Sequence, residues 1–446
     1  MMAAHKPVVL ISVPHLRERD VSQMKQLREL FAGGEIAELT PTFPCVTCPV
    51  QANMLTGRLP REHGIIANGF FWREKKTAEM WTSPSDCFDR PPIWHRLAAV
   101  SPRRSSAVWF ALHTKGAEAD LVCTPAPIHH KDGSESPWCY TRPSELYSEL
   151  RERFGDFPLH HYWGPLAGMP ASQWIVDSAI YAAEKFRPDF FYIYLPLLDY
   201  AAQREGPDSS AAQTAIVQLD ELVAKLAKEF HRIYNRGLVW LVAGEYVITP
   251  VGSVCFPNRL LREEGLLGVQ QTDEGELIDW ERSRAFALVD HQLAHVFVLD
   301  GEAKTKSRVA DLFRSQPEID RVLCEEDFSA WGLDHPRSGE VVLIAQPTSW
   351  FAYYWWSSDQ NAPAFARKVD IHRKPGYDPV ELCWDPVRRC VPLDPSLIHG
   401  SHGAPAEDPL QRTVLLASEP AHFPEKPLRD VDVYSIVLTV LGVPSG

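Results

Sequence analysis

LTPTFPCVTCPVQANMLTGRLPREHGIIANGFFW, Leu39 to Trp72, sets Thr47 between Cys45 and Cys48 with Pro49 close behind. The block CPVQANMLTG predicts a helix. Pro49 falls in its first turn, where a missing N–H costs nothing, and Gly57 follows its end. Thr47 or Cys48 then stands at the helix start. Three readings of Thr47 compete: a helix cap, a bystander inside a Cys-x-x-Cys pair, and a nucleophile. The third draws on the helix start itself, where backbone N–H groups and the dipole stabilise an anion. As half of a zinc site, Cys45 and Cys48 would need a second close pair, and Cys383 with Cys390 is spaced too widely. Nine cysteines, an odd number, are expected as reduced, mostly buried thiols.

Outward from this stretch, five apolar runs predict buried strands: 7–13 (PVVLISV), 106–112, 189–198 (DFFYIYLPLL), 237–244 (GLVWLVAG) and 412–418. They lack period-2 alternation, as strands of a parallel sheet covered on both faces do. Helical patterns lie between them, at 20–33, 172–186 and 208–234. The expected fold is α/β: a doubly wound, mostly parallel sheet with helices on both faces. Residues 1–250 and 395–446 are expected to form its core, and the less regular 251–394 an inserted or capping subdomain. Ligands of such folds gather beyond the carboxyl ends of the strands. That directs attention to Pro14-His15, Asp199 and Glu245-Tyr246, which follow three of the runs.

The chain has 446 residues and a formal net charge of −13. No basic stripe suited to a nucleic-acid groove is visible. No apolar stretch is long enough to span a membrane, and the N-terminus has no leader-like apolar core with a cleavage site. A cytoplasmic protein is the expectation; oligomeric state is not encoded in any pattern found.

The ordered elements Pro44, Thr47, Pro49, Thr56-Gly57, Pro60, His63-Gly64-Ile65 and Asn68 resemble the nucleophile region of the alkaline phosphatase superfamily. They are most similar to its nucleotide pyrophosphatase/phosphodiesterase branch. YLPLLDYAAQREGPDS (194–209), LVAGEYV (241–247) and HGSHGAP (399–405) resemble, in order, later segments of that family. The resemblance implies an alkaline phosphatase-like fold, a threonine nucleophile at Thr47, and two divalent metal ions, usually zinc; a hard, oxygen-rich site would favour manganese or magnesium instead. It also implies a small phosphorylated or nucleotide-like substrate, with Gln51, Asn68 and Gln203 as candidate substrate contacts.

Several positions depart from that pattern. Pro14-His15 stands where the family has Asp-Gly, Gln203 where it has a histidine, and Glu245-Tyr246 where it has Asp-His. Asp199, Glu245 and His402 remain as candidate metal ligands. The segment Asp290-His291-Gln292-Leu293-Ala294-His295 offers replacements. If it is one strand, His291 and His295 share a face and Asp290 takes the other. His15 and the Asp370–His372 pair are further candidates. WFAYYWW (350–356) predicts core packing, and Arg373-Lys374 either a solvated loop or a phosphate contact. The expected activity is a metal-dependent hydrolase of phosphate esters, a phosphodiesterase or nucleotide pyrophosphatase. The alternative is a non-catalytic or binding protein on the same fold.

Overall fold

A computed structural model describes residues 6–81, 84–130, 135–235, 237–421, 423–424 and 427–444. The strands that position the site are β1 (Val8–Val13), β2 (Glu35–Thr40), β3 (Ser106–Trp109), β4 (Leu121–Pro125), β5 (Cys139–Arg142), β6 (Phe190–Tyr194) and β7 (Val239–Gly244). They continue with β8 (Ala285–Asp290), β9 (Leu293–Val298), β10 (Ile319–Cys324), β11 (Val341–Ala345), β12 (Thr413–Ala417) and β13 (Leu428–Arg429). The helices used below are α1 (Thr47–Thr56), α2 (Met169–Phe186), α3 (Leu197–Glu205), α4 (Ser210–Ile233) and α5 (Asp432–Val440).

Among the described residues, nine strands form the central sheet, in the order β13-β2-β12-β7-β1-β6-β3-β4-β5. From β7 to β4 every pairing is parallel. Residues of β1, β6, β7 and β3 are buried throughout, because helices cover both faces, and continuous apolar runs are the consequence. The amphipathic helices α2 and α4 pack on this sheet through residues such as Ile175, Leu219 and Phe230.

The run at 412–418 is a strand, but it lies antiparallel between β7 and β2. Its apolar composition reports burial and carries no direction. The helical pattern at 20–33 breaks into two short helices, Glu18–Val21 and Lys25–Leu30.

A second, four-stranded sheet has the order β8-β9-β11-β10 and is antiparallel throughout. It carries its own apolar cluster, which includes Tyr353, Tyr354, Trp355 and Trp356. Trp350 packs in a neighbouring cluster, so the WFAYYWW segment is core. Among the described residues no helix is long and apolar enough to cross a membrane.

The carboxyl ends of β1, β7 and β6 converge. Val13 pairs with Gly244, and Ser12 with both Ala243 and Tyr194. Gly244 is required here: a Cβ at that position would meet the Thr413 hydroxyl and the Leu16 carbonyl within 3 Å. The chain leaves these strand ends side by side, with His15 N–H bonded to the Tyr246 carbonyl at 2.8 Å and Glu245 N–H to that of Val13 at 2.9 Å.

Candidate active site

Helix α1 begins at Thr47, and its N-cap is Val46, which makes no side-chain cap. Thr47 is therefore not a cap. Its hydroxyl lies 3.0 Å from the Tyr246 hydroxyl. Tyr246 in turn donates to Asp199 Oδ1 at 3.1 Å, so the Thr47 proton points toward Tyr246. Asp199 sits in the first turn of α3, just beyond β6. Its other oxygen accepts from the Gln203 amide at 2.5 Å, one helical turn on. The Gln203 carbonyl accepts from Tyr377 at 2.6 Å. One continuous chain thus runs Thr47–Tyr246–Asp199–Gln203–Tyr377, and all five residues are buried.

The remaining candidates surround this chain. His402 stacks on the Tyr246 ring at 3.7 Å and 6°, and its Nδ1 meets the Cys45 carbonyl at 2.9 Å. Tyr246 therefore gathers Thr47, Asp199 and His402 around one ring. His291 stacks on Tyr377 at 3.5 Å and lies 3.9 Å from the His402 ring. Asp290 orients His291 through a 2.6 Å bond to Nδ1. Asp290 is itself held by the Asn68 N–H at 2.7 Å and the Asn68 amide at 3.0 Å.

Asp290 to His295 is not one strand. β8 ends at Asp290, β9 starts at Leu293, and His291-Gln292 is a two-residue hairpin turn with His291 at φ 61°. The expectation of a shared face for His291 and His295 is thereby corrected. His291 enters the cleft. His295 remains inside the second sheet, its ring nitrogens engaged by the Ile66 carbonyl and the Gly339 N–H, and it is not brought to the site.

The three candidate substrate contacts take supporting positions instead. Gln51 donates to Glu245 at 2.8 Å and accepts from the Leu112 N–H. Asn68 is committed to Asp290 and the Cys48 N–H. Gln203 is committed to Asp199 and Tyr377. Glu245 is fixed by Ser12 at 2.6 Å as well as by Gln51, through one oxygen only; its Oε2 has no partner, nor has His402 Nε2.

A cleft of about 120 Å³ opens on these groups. Thr47, Asp199, Tyr246 and His291 line it together with His113 and a wall of rings. Trp81, Tyr377, Trp163 and Tyr200 follow one another along that wall at 5.8 to 6.4 Å and at steep angles. Among the described residues, no lysine or arginine lines the cleft. Burial without a cation pushes the Glu245 carboxyl up to about 8 and that of Asp199 to about 7, against the hydrogen bonds each accepts. Burial holds His291 and His402 neutral, well below the usual imidazole value.

Tyr246 and Tyr377 were not among the residues singled out for a role. Tyr246 had a signal, since it occupies a position where the resembled family has a histidine. Tyr377 had none beyond its place in IHRKPGYDP. Lys374 is no phosphate contact: it is buried against Asp378 at 2.8 Å and Glu381 at 2.6 Å. His15 is buried, accepting from the Ile248 N–H. His372 lines the outer cleft. All nine cysteines are free, and burial pushes the Cys45 and Cys48 thiols far up, away from the reactive thiolate.

The sequence profile of type I phosphodiesterases/nucleotide pyrophosphatases matches residues 8–378, across the strand ends, Thr47 and the cleft wall. The chain belongs to this family. An uncharacterized pyrophosphatase/phosphodiesterase of Schizosaccharomyces pombe is 21% identical over 188 residues, a stretch that is 42% of this chain and 33% of that protein. The fold is shared with murine ectonucleotide pyrophosphatase/phosphodiesterase 5, at a TM-score of 0.63 and 15% identity, over 99% of this chain and 96% of that one. It is shared equally with phosphonoacetate hydrolase from Sinorhizobium meliloti 1021 in complex with phosphonoformate, at a TM-score of 0.61 and 16% identity, over 98% and 96%. The family's fold is thus retained. Among the described residues, no group of three or more histidines, cysteines and carboxylates is placed to hold a metal ion.

Proposed function

We propose that this chain is a hydrolase of small phosphodiesters or pyrophosphates in which Thr47 is the nucleophile. One observation carries the reading: the Thr47 hydroxyl, at the start of a ten-residue helix, is joined through Tyr246 to the buried Asp199 at the floor of a cleft. A nucleophile linked to a base that is itself held in place is the arrangement covalent catalysis requires. As Thr47 Oγ bonds to phosphorus, its proton passes to the Tyr246 oxygen and the Tyr246 proton to Asp199. The ester P–O bond breaks and the departing oxygen takes a proton from water. A second water then attacks the phospho-threonine. The proton on Asp199 returns through Tyr246 to Thr47, and His291, oriented by Asp290, takes the proton of the attacking water and releases it to solvent. The α1 dipole adds positive potential where the phosphoryl group would sit.

The donor set does not fit the two-metal centre that the family resemblance implies. Both Asp199 oxygens are occupied by protein donors, and Asp290 is committed to Asn68 and His291. No step above is routed through a metal.

A second reading, a binding protein on the same fold, is favoured by the absence of lysine and arginine among the described residues that line the cleft. Hydrolysis of a chromogenic phosphodiester separates the two. Thr47→Ala is expected to lose roughly a hundredfold or more of the rate, and Thr47→Ser to keep part of it. Equal rates for wild type and Thr47→Ala would remove Thr47 as nucleophile. No turnover in any protein, with substrate still bound, would establish the binding reading.

A further inference from the structure

We infer that Tyr246 and Gln203 close this cleft to divalent metal ions, replacing metal ligation with a fixed hydrogen-bond chain between Thr47 and Asp199. The inference concerns the cleft of the proposed hydrolysis and takes its chemical meaning from that reading, but its evidence is the donor set alone.

A catalytic zinc takes three protein ligands and needs their lone pairs free. Asp199 is the most central carboxylate, and a metal would have to share both of its oxygens with protein donors. Tyr246 donates to one oxygen and Gln203 to the other. Gln203 could ligate only through its carbonyl oxygen, and that oxygen accepts from Tyr377 at 2.6 Å. Its amide N–H faces Asp199, and a donor is not a ligand. Tyr246 keeps its proton in the bond to Asp199. Its ring lies flat against His402, at 3.7 Å and 6°.

The nearest alternatives are each tied through one of their donor atoms. Glu245 is fixed by Ser12 and Gln51 through one oxygen. Asp290 serves Asn68 and His291, and His291 gives its Nδ1 to Asp290 while its ring is held against Tyr377. Glu245 Oε2 and His402 Nε2 are without partners here, and His291 keeps its Nε2, but among the described residues no three histidines, cysteines or carboxylates are placed to hold one metal ion. Here the two substituted side chains pair with each other's neighbours from Thr47 to Tyr377 without a gap, as a fully satisfied buried network does.

Metal content and calorimetry test this without reference to turnover. Purified wild-type protein, incubated with excess Zn²⁺ or Mn²⁺ and desalted, is expected to retain less than about a tenth of an equivalent of either. Titration with Zn²⁺ should show no saturable heat. The Gln203→His/Tyr246→His double variant removes both closing donors and adds two imidazoles beside Asp199 and His402. It is expected to take up Zn²⁺ at least about tenfold more tightly than wild type, with each single variant between the two. Circular dichroism melting establishes that the variants are folded. One equivalent of tightly held metal in the wild type would overturn the inference. So would a folded double variant that binds zinc no better than a metal-free wild type. If the double variant does not fold, the wild-type content decides alone. The proposed hydrolysis fails separately: a metal-free wild type whose turnover does not depend on Thr47 sinks that reading and leaves this one standing.

Discussion

Two buried clusters of carboxylates lie on either side of Tyr377, and they solve the same electrostatic problem in opposite ways. Between residues 374 and 381, Lys374 sits fully buried between Asp378 and Glu381. Desolvation opposes its charge, but the two carboxylates outweigh it and hold the lysine above its ordinary value. In the cleft, no lysine or arginine among the described residues faces Asp199 or Glu245. They are met by Tyr246, Gln203, Ser12 and Gln51, and burial drives both carboxyls toward the protonated form. The first cluster is an ion set whose members depend on one another. The second is a set of neutral hydrogen bonds that tolerates proton movement. The ion set also shapes the cleft: Glu381 accepts from the Trp163 indole at 2.6 Å, and Trp163 and Tyr377 are both cleft wall.

The largest effect is expected where the cation is removed. Lys374→Met leaves two carboxylates buried without their partner, and breaking a buried pair on one side costs about 3–5 kcal/mol. Chemical denaturation should show that loss. A Lys374→Met/Asp378→Asn/Glu381→Gln variant should recover part of it, since no uncompensated charge then remains. If Lys374→Met unfolds at the wild-type denaturant concentration, the two clusters do not differ in kind.

The sequence carried one side of this comparison better than the other. The parallel core was legible because burial on both faces writes continuous apolar runs, as in β1, β6 and β7. β2 escaped notice because EIAELT is neither a continuous apolar run nor a strict alternation, and its residues are mostly exposed or half-buried. The direction of β12 was not legible, since an apolar run encodes burial and not orientation. Thr47, Asp199 and His402 could be placed because each occupies a distinctive position in an ordered pattern. Their partners could not. Tyr246 lies 199 residues from Thr47 and Tyr377 lies 174 from Gln203, distances over which no local pattern speaks. The hairpin at His291 was hidden because its turn lacks the Asn-Gly or Gly that normally announces one; the positive φ falls on histidine.

A third network sharpens the comparison from behind α1. His63 donates from Nε2 to Asn53 at 2.8 Å and accepts from the Ile65 N–H, while the Asn53 amide donates to Asp430. Burial, reinforced by nearby cationic groups, lowers the His63 pKa to about 3, so the folded protein keeps it neutral. Unfolded, it titrates near 6.5. A depressed folded value means the stability is present above pH 6.5 and is lost as pH falls toward 3. Between pH 7 and pH 5 the loss is expected to be roughly 2 kcal/mol from this residue. His63→Gln can keep the donor to Asn53 and does not titrate, so it should flatten that part of the stability–pH curve. Parallel curves for the two proteins over this interval would show that His63 takes up protons equally in both states.

The smallest effect is expected in the cleft, at Glu245→Gln. Near neutral pH the buried carboxyl is largely protonated, so an amide of the same shape replaces a neutral group with a neutral group. Its oxygen can still accept from Ser12 and Gln51, and its N–H₂ takes the place of Oε2, which has no partner to lose. The change in unfolding free energy at pH 7 should stay below about 1 kcal/mol, against the several expected for Lys374→Met. The contrast in size is the test of the comparison. A loss at Glu245 as large as that at Lys374 would mean that a cation sits beside this carboxylate in the folded protein, and that the cleft and the lysine cluster balance their charge in the same way.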